Sequence, residues 1–142
     1  MRVYADATNW WNASWLYRRS HLITAAAGAS TNYSLQFVVI NASGSDSGGT
    51  IYINNKAKAD FSDVRFVSFD NSTVYSCWKE VLNSGVNATF WVRISEDLST
   101  VNKNIWVYYG NSGASAVSNG ADTFPLWFDD FSLVTNFGGV RN

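Results

Sequence analysis

Apolar and polar residues alternate along most of this chain with a period of two, the period at which side chains alternate across a β-strand. In residues 88–94, for example, Phe90 and Val92 share one parity, while Trp91 and Arg93 share the other. Clusters of Gly, Asn, Ser and Asp separate the alternating stretches, as turns separate strands. The pattern predicts seven strands and an eighth near the end of the chain. Pro125, near the start of the eighth, is a residue that sheets accept at their edges. The predicted strands are residues 14–24, 32–41, 50–54, 63–70, 73–82, 87–95, 103–110 and 123–134.

This spacing of short strands and turns is typical of an all-β fold, an antiparallel β-sandwich. The pattern contains no amphipathic helix, and the single helical candidate is one turn at residues 115–120. A length of 142 residues corresponds to one domain, spanning residues 1–142. We therefore expect a single sandwich with little or no helix.

The turn Asp-Asn-Ser at residues 70–72 predicts that the strands on either side of it form a hairpin. By parity, Val64 and Phe66 face the core of this hairpin. Asp63 and Arg65 then face outward, and Arg65 is a reasonable cross-strand partner for Glu80.

Four side chains stand out as candidate ligand-binding residues. Trp91 and Arg93 have the outward parity of their strand, and Trp106 and Tyr108 have the outward parity of the next. If the two strands pair, all four lie on one face, where the rings offer flat surfaces to a sugar. The alternatives are that the aromatic side chains pack beneath a loop, form a two-sided core, or contact a neighbouring protein subunit or domain.

A dense group of tryptophans, Trp10, Trp11 and Trp15, precedes the first predicted strand and is followed by Arg18. The chain has no basic run and a net charge of −1, whereas phosphate binding needs a dense cationic stripe. Nucleic acid is therefore excluded as the partner. We expect the cluster to begin the first strand, with Trp15 and Tyr17 on one face and Arg18 on the other.

Several observations argue against catalysis and against most metal sites. The acidic neighbours in sequence point to opposite faces of a strand, so they cannot flank one glycosidic bond. The chain has one histidine, His21, without a nucleophile motif, and one cysteine, Cys77, which we expect to be a buried apolar residue. We predict no enzyme and no cofactor.

Calcium is the one metal that the oxygen-rich composition leaves open. The candidate ligand pairs are Asp60/Asp63, Asp70/Asn71 and, as the pair on which we settle, Asp129 and Asp130. No EF-hand spacing accompanies any of them.

The sequence also bears on location. Five Asn-x-Ser/Thr triplets, a mild excess for an Asn- and Ser-rich chain, lie near predicted strand ends and are candidate glycosylation sites: Asn12, Asn32, Asn41, Asn71 and Asn87. No apolar run is long enough to insert into a membrane, and the first residues lack the apolar core of a signal peptide. We expect an extracellular or cell-surface protein whose signal lies outside this chain.

An ordered set of motifs resembles the prokaryotic domain of unknown function numbered 2341. These motifs are WNASWLYRR at 11–19, DVRF at 63–66, WKE at 78–80, WVR at 91–93, YYGN at 108–111 and FDDF at 128–131. The resemblance covers about residues 10–131. It implies a concanavalin-like β-sandwich or jelly roll in a secreted or cell-surface protein of archaea or bacteria, with residues 132–142 as a linker to a following domain.

These observations together predict an extracellular, non-catalytic module that binds a glycan or mediates adhesion at a cell surface. The alternative is a structural building block of a surface layer or extracellular filament that assembles as a homo-oligomer through its sandwich faces. In that alternative, ordering of residues 1–8 against another copy would indicate strand exchange.

Overall fold

The computed structural model describes residues 9–125 of the chain. Its elements are β1 (Tyr17–Ile23), β2 (Tyr33–Ile40), β3 (Thr50–Tyr52), β4 (Arg65–Ser68), β5 (Cys77–Asn83), β6 (Asn87–Ile94), β7 (Lys103–Tyr109) and α1 (Gly120–Thr123). The seven predicted strands that lie within this range are confirmed. The one helical turn lies at α1, after the predicted 115–120, because the side chain of Asn119 accepts a hydrogen bond from the backbone N–H of Asp122 and so caps the turn.

The strands form two sheets, which confirms the all-β sandwich. One sheet has three strands in the order β1-β7-β4, and the other has four in the order β3-β2-β6-β5. Every pairing is antiparallel except that of β2 with β3, which is parallel. The predicted eighth strand does not begin at residue 123, since Thr123 ends α1, and the remainder of that prediction past residue 125 lies outside the described residues.

The turn of the predicted hairpin across residues 70–72 forms, but the predicted pairing of the two strands on either side of it is wrong. The chain does reverse there, and Val67 forms an isolated bridge with Val74. After Tyr75, however, the chain crosses to the other sheet, where β5 pairs with β6 instead of β4. The physical reason is that Tyr75 and Cys77 are buried in the space between the sheets, so burial carries β5 away from β4.

The main core lies between the two sheets and is built from the inward parity of each strand. In β6 the alternation is complete, with Ala88, Phe90, Val92 and Ile94 buried. Phe66 of β4 contacts Phe37 and Phe90 of the facing sheet, at ring-centre distances of 5.8 and 5.3 Å. The period-two pattern of the sequence therefore describes this core correctly.

A second apolar cluster covers the outer face of the three-stranded sheet. It consists of Trp15, Val67, Tyr108 and Ala114, with Trp10, Trp11 and Trp106 packed against it. The segments that flank β1 and β7 supply Trp15 and Ala114, so β4 is buried on both of its faces.

This second cluster overturns the outward placement of Arg65 and its pairing with Glu80. Arg65 is 6% exposed, and its guanidinium donates hydrogen bonds to the carbonyls of Ser62, Val64 and Ser115. Burial lowers the pKa of Arg65. The pairing fails because β4 and β5 belong to different sheets, which leaves the guanidinium to be satisfied by loop carbonyls.

Asp63, also expected to face outward, is fully buried. Its carboxylate accepts the backbone N–H groups of Lys58, Gly110 and Asn111 at 3.1, 2.8 and 3.1 Å. A buried carboxylate surrounded by three N–H donors stabilises the loops on either side of it. The physical reason for the error is that these loops fold over the position, which strand parity cannot reveal.

The expectation that Trp15 and Tyr17 share a face is also wrong. Trp15 lies before β1, in a turn closed by its N–H and the carbonyl of Asn12, and its indole joins the outer cluster. Tyr17 begins β1 and packs against the main core, stacked on Tyr109. Parity does not carry across the turn because the period of two holds only within a strand.

Candidate ligand-binding surface

The four predicted ligand residues do not lie on one face. Trp91 and Arg93 project from β6 of the four-stranded sheet, and Trp106 and Tyr108 from β7 of the three-stranded sheet. Because β6 and β7 belong to different sheets and their inward residues meet in the core, their outward residues lie on opposite sides of the sandwich. The single aromatic face predicted from parity is therefore wrong.

On the four-stranded sheet, Trp91 lies directly opposite Trp78 of β5. The indole N–H of Trp91 donates to Glu80 at 2.8 Å. Phe124, which follows α1, contacts both tryptophans edge-on, at ring-centre distances of 6.2 and 5.6 Å. This pair of tryptophans thus holds the chain that leaves α1 against the sheet.

Arg93 lies beside this tryptophan pair, where it is half-buried and opposite Ser34 of β2. Its Nε atom is buried without a hydrogen-bond partner among the described residues. The hydroxyl of Ser34 donates to the carbonyl of Thr123 at 2.7 Å. The C-terminal end of α1 is therefore hydrogen-bonded beside Arg93.

On the three-stranded sheet, Arg18 lies between two tryptophan rings. Its guanidinium carbon is 4.6 Å from the ring centre of Trp10 and 3.7 Å from that of Trp106. Trp106 in turn stacks on Phe69, with ring centres 4.9 Å apart and planes 17° apart. We call these four side chains the aromatic–arginine stack; each cation–π contact in it contributes about 0.5–2 kcal/mol.

Tyr108 is fully buried beneath this stack, where it contacts Trp10 and Arg18. Its hydroxyl donates to the side-chain oxygen of Asn71 at 2.6 Å and accepts from the backbone N–H of Trp11 at 2.9 Å. Arg18 also donates to the hydroxyl oxygen of Tyr108, at 3.2 Å. Tyr108 is therefore a structural residue that ties three segments together, rather than a contact for a ligand.

The open end of the stack is Phe69, which is 50% exposed although Trp106 covers one of its faces. The indole N–H of Trp106 donates to the carbonyl of Phe69 at 3.0 Å, which fixes the two rings relative to each other. A cleft of about 340 Å³ opens beside Phe69. We call it the Phe69 cleft, and its lining residues are Phe69, Asp70, Glu96, Asn102, Lys103 and Asn104.

In each of the two carboxylates of the Phe69 cleft, one oxygen accepts all the internal hydrogen bonds described below. Oδ1 of Asp70 accepts from the hydroxyls of Ser68 and Ser72 and from the N–H of Ser72. These hydrogen bonds lower the pKa of Asp70 to about 2. Among the described residues, Oδ2 of Asp70 has no hydrogen-bond partner.

Glu96 is arranged in the same way. Its Oε1 accepts from the hydroxyl of Tyr75 at 2.6 Å and from that of Ser95 at 3.3 Å. Burial, together with the hydrogen bond to Glu96, raises the pKa of Tyr75, so this hydroxyl keeps its hydrogen and remains a donor. Oε2 of Glu96 has no partner in the part of the chain that the structure describes. Both carboxylates can therefore accept a hydrogen bond from a ligand without losing an internal one.

Sequence reasoning missed this cleft. Phe69 has the outward parity of its strand, which indicates that its ring is exposed. Parity is a poor guide at this position, however, because Phe69 lies next to a turn. The sequence predicts Asp70 as a turn residue and a candidate calcium ligand, and neither role indicates this cleft. The other lining residues come from the segment between β6 and β7 and from the start of β7, and only the tertiary structure brings them beside Phe69.

His21 is buried at a second cavity of about 470 Å³ between β1 and β2. Its Nδ1 lies 3.1 Å from Oδ2 of Asp46, and its Nε2 lies 2.7 Å from the carbonyl oxygen of Gly48. Arg19 pairs with the same Asp46 at 3.0 Å. Both ring nitrogens are thus engaged in holding the loop before β3.

The candidate calcium ligands have other partners. The carboxylate of Asp63 accepts three backbone N–H groups, as described above. The carboxylate of Asp60 accepts the backbone N–H of Ser62. Among residues 9–125, no group of three or more His, Cys, Asp or Glu side chains could hold a metal ion. Asp129 and Asp130 lie outside the described residues.

The five candidate glycosylation sites differ in the exposure and the hydrogen bonds of their asparagine side chains. Asn12 and Asn32 are exposed. Asn41 exchanges hydrogen bonds with the backbone of Ala57, and Asn71 donates to the carbonyl of Asn9. Asn87 is half-buried and accepts from Asn83. Asn12 and Asn32 are therefore the two exposed sites, and although Oδ1 of Asn12 accepts the N–H of Ser14, a glycan on the amide nitrogen does not displace that contact.

Comparison with known proteins adds one match. The model of a family described as a domain of unknown function, DUF2341, matches residues 60–137, more than half of the chain. No curated protein and no solved structure matches. The matched segment includes β4 to β7 and every residue that lines the Phe69 cleft. Within residues 9–125, no helix has the length and apolar content needed to cross a bilayer.

Proposed function

This chain belongs to the DUF2341 family, whose description names no activity, and we propose that it is an extracellular, non-catalytic module that binds carbohydrate in the Phe69 cleft. The proposal includes a concanavalin-like assignment of the sandwich, which its two face-to-face sheets support. An experimental structure that extends past residue 125 tests that assignment.

The observation that carries the proposal is the exposed ring of Phe69, held on Trp106 beside a cleft lined by carboxylate and amide side chains. A sugar presents apolar C–H groups on one face and hydroxyls around its rim. An exposed aromatic ring packs against the C–H face, and Asp70, Glu96 and Asn104 supply hydrogen-bonding groups for the hydroxyls. The volume of about 340 Å³ lies at the lower end of the range for small-ligand sites.

The rigidity of the cleft also supports binding. Phe69 is held by its stack on Trp106 and by the indole hydrogen bond to its carbonyl. Asp70 and Glu96 are oriented by internal hydroxyl donors. Side chains that are already ordered lose little conformational entropy when a ligand binds.

The extracellular location is supported by two exposed Asn-x-Ser/Thr sites, Asn12 and Asn32. Expression of the chain through a eukaryotic secretory pathway tests whether these sites accept a glycan. The proposal predicts occupancy at both sites and none at Asn71, whose amide is engaged.

The binding test is retention on immobilised polysaccharides and on a glycan array, with the Phe69→Ala variant beside the wild type. We expect retention of the wild type on at least one polysaccharide and a loss of about tenfold or more in the variant. Tyr33→Ala is the matched control, because Tyr33 is similarly exposed, at 48%, but lies on β2 of the other sheet. Equal retention of wild type and Phe69→Ala on every polysaccharide would rule out the cleft as the site.

A second candidate function, self-assembly as a structural building block, is favoured by β5. This strand is the edge of the four-stranded sheet, and Val81, Leu82 and Val86 expose apolar side chains along it and its turn. Exposed apolar edge strands promote association. If assembly is the function, light scattering will show multimers that Leu82→Lys abolishes and Val101→Lys, at another exposed apolar site, does not.

A further inference from the structure

We propose that the carbohydrate bound in the Phe69 cleft carries an ammonium group, as an amino sugar with an unsubstituted nitrogen does. This inference rests on the proposed function and names the ligand class for the same site. It follows from the charges around the cleft, from the free carboxylate oxygens and from the exposed aromatic ring.

The charges that line the cleft are two carboxylates, Asp70 and Glu96, and one ammonium, Lys103. Asp97, next to Glu96 in sequence, is a further carboxylate; hydrogen bonds from Ser99 are the main cause of its lowered pKa, and the positive charge of Lys103 adds a smaller contribution. Among these four side chains, negative charge exceeds positive, so a cationic ligand is favoured and a uronic acid is repelled.

The geometry of the carboxylates fits the same ligand. Oδ2 of Asp70 and Oε2 of Glu96 have no partner among the described residues, while the opposite oxygens are held by Ser68, Ser72 and Tyr75. An ammonium group has three donors and no acceptor, so each of these two oxygens is an acceptor that it can use. Such charge-assisted hydrogen bonds are roughly twice as strong as neutral ones.

The aromatic ring is the third component. The face of an aromatic ring carries negative charge density and attracts a cation within about 6 Å. Phe69 therefore favours a sugar that places C–H groups and a neighbouring ammonium against its exposed surface. An N-acetyl group on the same nitrogen would remove the charge and the extra donors, and a neutral sugar would lack them altogether.

The test is calorimetric titration at low salt and pH 5.5 with three oligosaccharides of equal length: β-1,4-linked glucosamine, β-1,4-linked N-acetylglucosamine and β-1,4-linked glucose. We expect the glucosamine oligosaccharide to bind about tenfold tighter, or more, than the other two. Asp70→Asn and Glu96→Gln should each remove most of this difference, since each keeps an acceptor for the internal hydroxyl donors but loses the charge.

The matched control is Asp122→Asn, which removes the same charge from α1, on the four-stranded sheet. Its glucosamine affinity should equal that of the wild type. A drop as large as that of Asp70→Asn would mean that the polycation binds through general attraction, and it would overturn the inference.

The outcomes also separate this inference from the proposed function. If the N-acetylated or glucose oligosaccharide binds as tightly as glucosamine, and Phe69→Ala abolishes that binding, the cleft binds carbohydrate but the ammonium requirement is refuted. If no saccharide binds in calorimetry, on the polysaccharides or on the array, the proposed function fails, and this inference fails with it.

Discussion

Replacing Asp63 by asparagine is the sharpest test of how this fold is held together. The carboxylate of Asp63 is fully buried and accepts three backbone N–H groups, from Lys58, Gly110 and Asn111. These hydrogen bonds join the loop before β4 to the loop after β7. Asparagine has nearly the same shape, so the substitution changes hydrogen bonding and charge with little change in packing.

The magnitude follows from counting acceptors. The asparagine oxygen can replace Oδ2, 2.8 and 3.1 Å from the N–H nitrogens of Gly110 and Asn111, but the amide nitrogen then faces the N–H of Lys58. One partly buried donor, the N–H of Lys58, loses its acceptor, at a cost of about 1–3 kcal/mol. The two remaining bonds lose their charge assistance, and relief from burying a charge offsets part of that loss. The net expectation is a destabilisation of about 2–4 kcal/mol.

The measurement is urea unfolding at pH 7, followed by tryptophan fluorescence, because Trp15 donates its indole N–H to the carbonyl of Asp63 itself at 2.6 Å. Asp60→Asn is the control, since Asp60 is exposed in the same loop and keeps its acceptor for Ser62. We expect that control to stay within about 0.5 kcal/mol of the wild type. If Asp63→Asn also stays within that margin, the three N–H contacts do not stabilise the fold and the reasoning is refuted.

Two further predictions concern titrating groups. The hydroxyls of Ser68 and Ser72 hold the pKa of Asp70 at about 2, below its unfolded value of 3.8, so its contribution to stability is present above about pH 4 and is lost as the pH falls towards 2. The difference in Tm between wild type and Asp70→Asn should therefore shrink over that range, and a constant difference would contradict the assignment. Burial raises the pKa of Cys77 to about 11. Its thiol should therefore resist iodoacetamide at pH 8 in the folded protein and react once urea unfolds the chain. Rapid labelling of the native state would argue against this burial.

Much of the architecture can be read from local pattern alone. The alternation in residues 87–95 places Phe90, Val92 and Ile94 in the core and Trp91 outside, as the structure has them. The positions of the other six described strands follow from the same period of two and from the turns between them. This succeeds because the pleat of a strand assigns each side chain to a face whatever the strand's partner is.

The same pattern misplaced the residues whose surroundings come from distant parts of the chain. Arg65 has outward parity, yet Trp15 and Ser115, both more than forty residues away, cover it. Tyr108 is buried for the same reason, by Trp11 and Asn71. Parity identifies a face of a sheet, but only tertiary contacts decide whether that face meets solvent or a second core.

The sequence by itself determined the described strands, most of their inward residues and the family. Only the tertiary structure decided which strands pair, and so separated Trp91 from Trp106 by the thickness of the sandwich. It also assembled the Phe69 cleft from residues 69–70, 96 and 102–104, which lie in two loops and at the start of β7 and share no pattern in sequence. The physical reason is that strand pairing and loop packing depend on which non-local contacts bury the most apolar surface, and a period of two contains no information about them.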